Sequence, residues 1–230
     1  MNKHELSMLQ KDVLEILAEM EPSWTLTGGA ALVGFHLHHR TTKDLDLFWY
    51  GQQILGELPQ QVHQRLKNND LEVSSLQSGR SFHRLHVTRS QEVLVIDLVA
   101  EPVPSIEAPQ VFSLGKAKIY VDSQYEIIVN KLCTLLSRSE LRDLMDLQLL
   151  LHQNPNIELT KVLHDASKKD AGFSAIVLAW VLQDFPIKTL AITIGWSDEQ
   201  IELAIQFRNW LVQNLLILSK PSDYGKDPPS

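Results

Sequence analysis

With 230 residues, 44% of them hydrophobic and 21% charged, the chain has material for one large domain or two small ones and the composition of an ordinary globular protein. A formal net charge of −7 argues against a protein that coats nucleic acid nonspecifically, while leaving room for a localised basic groove. The single cysteine, Cys133, excludes an internal disulfide or a cysteine-based zinc centre and suits a reducing compartment.

Residues 6–20 place Leu6, Leu9, Val13, Ile16, Leu17 and Met20 at helical spacing. Acids interrupt this apolar pattern, unlike a secretory leader, and no later apolar run reaches the length of a membrane span. A cytoplasmic protein without a membrane partner is therefore expected. After the Pro22-Ser23 break, a short strand is predicted at 24–27, then Gly28-Gly29 and a helix to about His39. The run Asp44-Leu45-Asp46-Leu47-Phe48-Trp49-Tyr50 reads as a strand, and a helix is expected near 52–68. Strands follow at 71–76, 82–88, 92–99 and 117–121. Val93 to Val99 is apolar on both faces except at Asp97, which predicts a central strand covered on both sides.

From Ser123 the pattern turns helical. Capping boxes are expected at Ser123–Glu126 and Ser197–Gln200, and helices at 124–137, 139–152, 158–169, 173–184 and 198–218. The fold class is therefore α+β: a mixed α/β half over 1–122, an all-helical half over 123–219, and a frayed polar tail over 220–230.

The chemistry concentrates between Leu26 and Phe48. Side chains alternate along a strand, so Asp44, Asp46 and Phe48 share one face. Neighbouring carboxylates repel, and a divalent cation compensates them directly; Mg²⁺ accepts carboxylate oxygens and bridges to phosphates. Gly28-Gly29 ahead of a helix lets the backbone approach an anion, and a helix start favours one. Asp97, in an apolar strand, is costly unless paired or metal-bound, and a strand beside Asp44–Asp46 would bring it to the same ions. Strand, diglycine, helix and acidic strand in this order describe a nucleoside triphosphate site, with Arg40 and Lys43 as candidate phosphate cations.

The run Leu26-Thr27-Gly28-Gly29-Ala30-Ala31-Leu32, then His39-Arg40, then the hydroxyl pair Thr41-Thr42 shortly before Asp44-Leu45-Asp46-Leu47-Phe48, resembles the AbiEii-type nucleotidyltransferase toxins of the polymerase β superfamily. Ala30 stands where that family has Ser or Thr, so a phosphate-binding hydroxyl is missing unless Thr27 supplies it. A second segment, Asn130-Lys131-Leu132, Arg138 and Leu141-Arg142-Asp143-Leu144-Met145-Asp146, resembles the family's later lysine and Arg-Asp-x-x-Asp motifs. The resemblance covers about 24–150 at motif level. It implies a polymerase β-like core, Mg²⁺ held by Asp44, Asp46 and Asp97, and Lys131 and Asp146 as further catalytic groups. It also implies triphosphate contacts from Thr27, Gly28, Gly29, Arg40, Lys43, Lys131 and Arg142, an NTP donor, an RNA acceptor, tRNA in particular, and an antitoxin partner.

Helical periodicity of about 100° per residue sets Lys131 inside the apolar stripe of its helix, where its ammonium either snorkels to water or faces an anion. Arg142 and Asp146, at i and i+4, could instead form an intrahelical ion pair. His36 and His39 share a helical face, but no third ligand follows at zinc spacing. A phosphatase built on Asp-x-Asp fits poorly, because the apolar residues follow the acids instead of preceding them. The remaining alternatives are a catalytically degenerate nucleotide-binding or interaction module and a small-molecule nucleotidyltransferase of the aminoglycoside type.

Overall fold

The computed structural model describes residues 5–138 and 140–220, so the polar tail expected to fray lies outside the described residues but for Lys220. The chain forms two compact units, Met1–Ile127 and Ile128–Ser230, which meet in the first turn of one helix. In the first unit α1 (Met8–Leu17), β1 (Thr25–Thr27) and α2 (Gly28–Ala31) are followed by a wider π-helical turn over Leu32–His36. Then come β2 (Asp44–Tyr50), α3 (Leu58–Lys67), β3 (Glu72–Ser78), β4 (Phe82–Arg89), β5 (Glu92–Glu101), β6 (Gln110–Leu114) and β7 (Ala117–Val121).

The seven strands make one mixed sheet in the order β3-β4-β5-β2-β1-β7-β6. β2 runs parallel to β5 and β1 parallel to β7, while the remaining pairs are antiparallel. Alternation along each strand sorts its side chains. Leu45, Leu47 and Trp49 of β2, Leu85 and Val87 of β4, and Leu94, Ile96 and Leu98 of β5 are buried. The apolar stripes of α1 (Leu9, Val13, Leu14, Leu17) and α3 (Leu58, Val62, Leu66) are buried as well, and α1 packs on α3, β5 and β7. Each such leucine or valine contributes about 1.5–3 kcal/mol on leaving water.

The other face differs from the expectation for β5. Val93 is exposed, and Val95 and Val99 are only half buried, so the strand is central but not covered equally on both sides. The reason is chemical: that face carries Asp97 and, on β2, Asp44 and Asp46, whose carboxylates need water or cations nearby.

Gln10 fixes where β2 begins. It closes a capping box with Ser7 at the start of α1, and its Nε2 donates to the carbonyls of Thr42 and Asp44, each at 3.3 Å. The helix expected to reach His39 ends at His36, and His38 takes a left-handed φ of 50°, so His36 and His39 do not share a helical face. β6 was not anticipated.

The second unit holds most of α4 (Gln124–Ser137) with α5 (Leu141–Gln153), α6 (Leu159–Lys169), α7 (Ala175–Gln183), α8 (Ile187–Thr193) and α9 (Asp198–Leu218). α5, α7 and α8 all pack on α9, whose Ser197–Gln200 capping box forms as expected. At the other predicted box Glu126 N–H donates to Ser123 Oγ, while the Glu126 carboxylate accepts from the N–H groups of Ile106 and Glu107. Among the described residues no single helix is long and apolar enough to cross a membrane.

α5 buries two acids, Asp143 and Asp146, within its apolar face. Their compensation comes from α4. Lys131 Nζ lies 2.5 Å from Asp143 Oδ1 and 2.8 Å from Asp146 Oδ2, and Arg138 Nε donates to Asp143 Oδ2 at 3.3 Å. Lys131 is 6% exposed, so it does not snorkel; the anions it faces are the protein's own. Arg142 pairs with Glu140 at 3.3 Å, which replaces the intrahelical pair with Asp146 considered above.

This cluster makes a stability prediction. Lys131→Met should cost about 3–5 kcal/mol in urea unfolding, because it strands two buried carboxylates. Arg142→Ala, at a mostly exposed pair, should leave the midpoint nearly unchanged. Equal effects of the two would refute the assignment of Lys131 as the centre of a buried ion cluster.

Candidate active site

The sheet register assembles the site. Asp46 of β2 lies directly beside Asp97 of β5, with Asp44 two positions back on the same face beside Val95. Asp97 has Arg84 of β4 on its other side, and Asp46 has Thr27 of β1. One row across four strands thus reads Arg84, Asp97, Asp46, Thr27.

Each acid is held differently. Arg84 donates from Nε and Nη2 to the two oxygens of Asp97 at 2.7 and 2.6 Å. The hydrogen bond to Asp97 raises the Arg84 pKa above its ordinary value, burial opposes it, and the charges of Asp97, Asp46 and Asp44 add to it. Asp44 Oδ1 accepts a short hydrogen bond from the Thr42 hydroxyl, and the Asp44 carbonyl is one of the two held by Gln10.

Asp46 sits against the diglycine. Gly28 has φ +64°, and a Cβ built on it would lie 2.2 Å from Asp46 Oδ2. Glycine is required here twice over, for the left-handed backbone and for the close approach of the carboxylate. A Cβ on Gly29 would lie 2.9 Å from Arg40 Nη2 and 3.3 Å from Thr42 Oγ1, so Arg40 and Thr42 close over the start of α2. First-turn N–H groups of a helix have no partner within it and point at whatever anion approaches.

The predicted residues therefore divide. Asp44, Asp46, Asp97, Thr27, Gly28, Gly29 and Arg40 are brought together in the first unit. Lys43 is exposed at the start of β2, beside Ser7, Gln10 and Glu92 in a shallow depression, and alternates away from Asp44. Lys131, Arg142 and Asp146 belong to the helical unit, with Lys131 and Asp146 in its ion cluster. Thr27 is buried and its hydroxyl does not cap α2. Ala30 is fully buried, so a hydroxyl there would enter packed interior and not an open phosphate cradle.

Two residues were missed by sequence reasoning. Gln10 was hidden in an apolar helix, although Ser7–Gln10 has capping-box spacing. Arg84 looked like an ordinary strand arginine. The signal for it was the tight turn at Ser90-Gln91: pairing Arg89 with Glu92 carries Arg84 opposite Asp97.

The donor set suits a hard divalent cation: three carboxylates on one face, two of them in register, with a guanidinium already standing as a cation on Asp97. Among the described residues, no three acid, histidine or cysteine side chains yet converge on one point. Asp97 is turned to Arg84 and Asp44 to Thr42.

Solved structures share this fold, and two of them cover nearly the whole chain. JHP933 from Helicobacter pylori superposes with a TM-score of 0.53 at 18% identity, covering 93% of this chain and 96% of its own. A candidate nucleotidyltransferase, also from H. pylori, gives 0.53 at 19% identity, covering 94% and 100%. No curated protein sequence is detectably similar. The profile of the family described as nucleotidyl transferase AbiEii toxin, type IV toxin–antitoxin system, matches residues 12–213, and this chain belongs to that family of nucleotidyltransferases.

Proposed function

We propose that this nucleotidyltransferase is Mg²⁺-dependent and moves a nucleoside monophosphate from an NTP to an RNA end, with tRNA as the acceptor. The carrying observation is the register of Asp46 beside Asp97, with Asp44 on the same face and Gly28 against Asp46. Membership of a type IV toxin–antitoxin family brings with it a nucleotide substrate and an antitoxin partner. A cytoplasmic location fits this reading.

In the proposed reaction the acceptor oxygen forms a bond to the α-phosphorus as the α–β phosphoanhydride bond breaks and pyrophosphate leaves. Asp44, Asp46 and Asp97 would hold the divalent cations, which when bound neutralise charge on the attacking and leaving oxygens. The chain's own part is placement. Gly28, with no Cβ, lets the Asp46 carboxylate stand against the start of α2, whose first N–H groups suit a phosphate oxygen. Arg40, beside Gly29, supplies a forked donor suited to phosphate oxygens. Gln10 keeps the start of β2 in place, so that the backbone carrying Asp44 and Asp46 is held in position.

Three measurements test this. Asp46→Asn should abolish transfer of labelled nucleotide to a tRNA pool while thermal stability holds or rises, because a like charge beside Asp97 is removed. Wild-type transfer by that variant would sink the mechanism. Gly28→Ala should also abolish transfer and should cost about 1–2 kcal/mol of left-handed strain. Gly51→Ala is the control: Gly51 has φ +76° with open space around its Cβ, so it should share the strain and keep the activity. Equal activity of both variants would remove the diglycine from the site.

The acceptor is tested by salt. An acidic chain holding RNA through two or three phosphates should show a slope of about −1.4 to −2.1 in log K against log salt. A slope several times steeper would mean a broad basic face. Absence of binding at low salt with Mg²⁺ and triphosphate present would point to a small-molecule acceptor.

A further inference from the structure

The acids of the site are in register but do not converge, and the residue that turns the third one aside is Arg84. Its fork takes one lone pair on each oxygen of Asp97, at the open end of the carboxylate where a chelating metal ion would sit, and leaves only the outer ones. The two partners differ in freedom. The Asp97 side chain is 11% exposed, whereas that of Arg84 is 42% exposed. Asp97 is anchored in a central strand between β4 and β2 and cannot follow its partner outward. Arg84 can leave, and its guanidinium carbon already lies 5.5 Å from the centre of the Phe82 ring, at the edge of the row.

We propose that Arg84 guards the metal site: it holds the open end of Asp97 in the resting protein, and a divalent cation gains that end by exchanging with the guanidinium. This rests on the metal-binding reading of Asp44, Asp46 and Asp97 given above. The exchange is physically reasonable because Asp97 is never left alone. A nearly buried carboxylate without a partner is strongly destabilising, but trading one cation for another keeps it compensated. The freed Arg84, already 42% exposed, moves into water and is open to a new anion. A triphosphate arriving with the cation offers one, in the fork geometry that guanidinium prefers. Arg84 thereby couples the two ligands: the cation binds more weakly alone than with nucleotide, and by linkage the nucleotide gains from the cation by the same factor.

The test reads metal binding directly, with Mn²⁺ alone as the probe and free Mn²⁺ followed by electron paramagnetic resonance. Arg84→Gln should bind Mn²⁺ about tenfold more tightly than wild type, the loss of one strong charge-assisted competitor. The gain should vanish in Arg84→Gln/Asp97→Asn. Arg84→Lys, which keeps a charge but not the fork, should fall between and covers the case in which Arg84→Gln does not fold. In the unaltered protein, adding Mg²⁺ with a non-hydrolysable triphosphate should shift the Arg84 Nε–H resonance away from its position in the ion pair. Mn²⁺ binding that is equal or weaker in Arg84→Gln and Arg84→Lys, yet abolished by Asp46→Asn, would overturn the guard while leaving the metal site standing. No Mn²⁺ binding by wild type or any Arg84 variant would overturn the metal reading, and the guard with it.

Discussion

The parallel pairing of β2 with β5 is the constraint on which the site depends. It sets Asp46 beside Asp97 in the middle of a seven-stranded sheet, at a position where the opposite face is packed with leucine and isoleucine. Two like charges on adjacent strands oppose the pairing that brings them together. The hydrophobic face outweighs that repulsion, since a slip of one residue would turn one strand's set, Leu45 and Leu47 or Leu94, Ile96 and Leu98, out of the core. The fold thus enforces an electrostatic conflict that the surrounding residues relieve piecemeal: Arg84 pairs with Asp97, Thr42 donates to Asp44, and Gly28 leaves room for the Asp46 carboxylate.

The two units handle buried acids in opposite ways. In the helical unit Asp143 and Asp146 are satisfied by Lys131 and Arg138, with Lys131 itself nearly inaccessible. That arrangement specifies how α4 meets α5. In the sheet unit the compensating arginine is substantially exposed, and Asp44 and Asp46 beside nearly buried Asp97 keep access to solvent. The same residue types serve as a permanent joint in one place and as a replaceable partner in the other. Access decides which.

Much of this was legible in the sequence. Alternation put the acids of β2 on one face, an apolar run located β5, and the apolar setting of Asp97 marked it as a residue needing a cation. Capping chemistry located the start of α9. What could not be read has physical causes. β6 follows a proline-rich stretch and its side chains are half to fully exposed, so no apolar alternation announces it. α8 is seven residues long and rich in isoleucine and threonine, too short and too β-branched for a helical stripe. The position of Lys131 in an apolar stripe was visible, but its partners lie on the next helix, and periodicity within one element cannot name them. Arg84 sits on a half-exposed strand face where arginine is unremarkable; only hairpin register connects it to Asp97.

That hairpin bears on the order in which the molecule assembles. β4 and β5 are joined by a two-residue turn, Ser90-Gln91, with Ser90 at φ 56°. Such a hairpin closes in about 1–10 μs, because its loop is short. Pairing β2 with β5 closes a far longer loop, across α3, β3 and β4, and pays its entropy before any contact rewards it. The local pairing brings Arg84 to Asp97 early. Asp97 is then already neutralised when Asp46 comes in beside it, and the folding chain need not bury two bare carboxylates together in the step that completes the sheet.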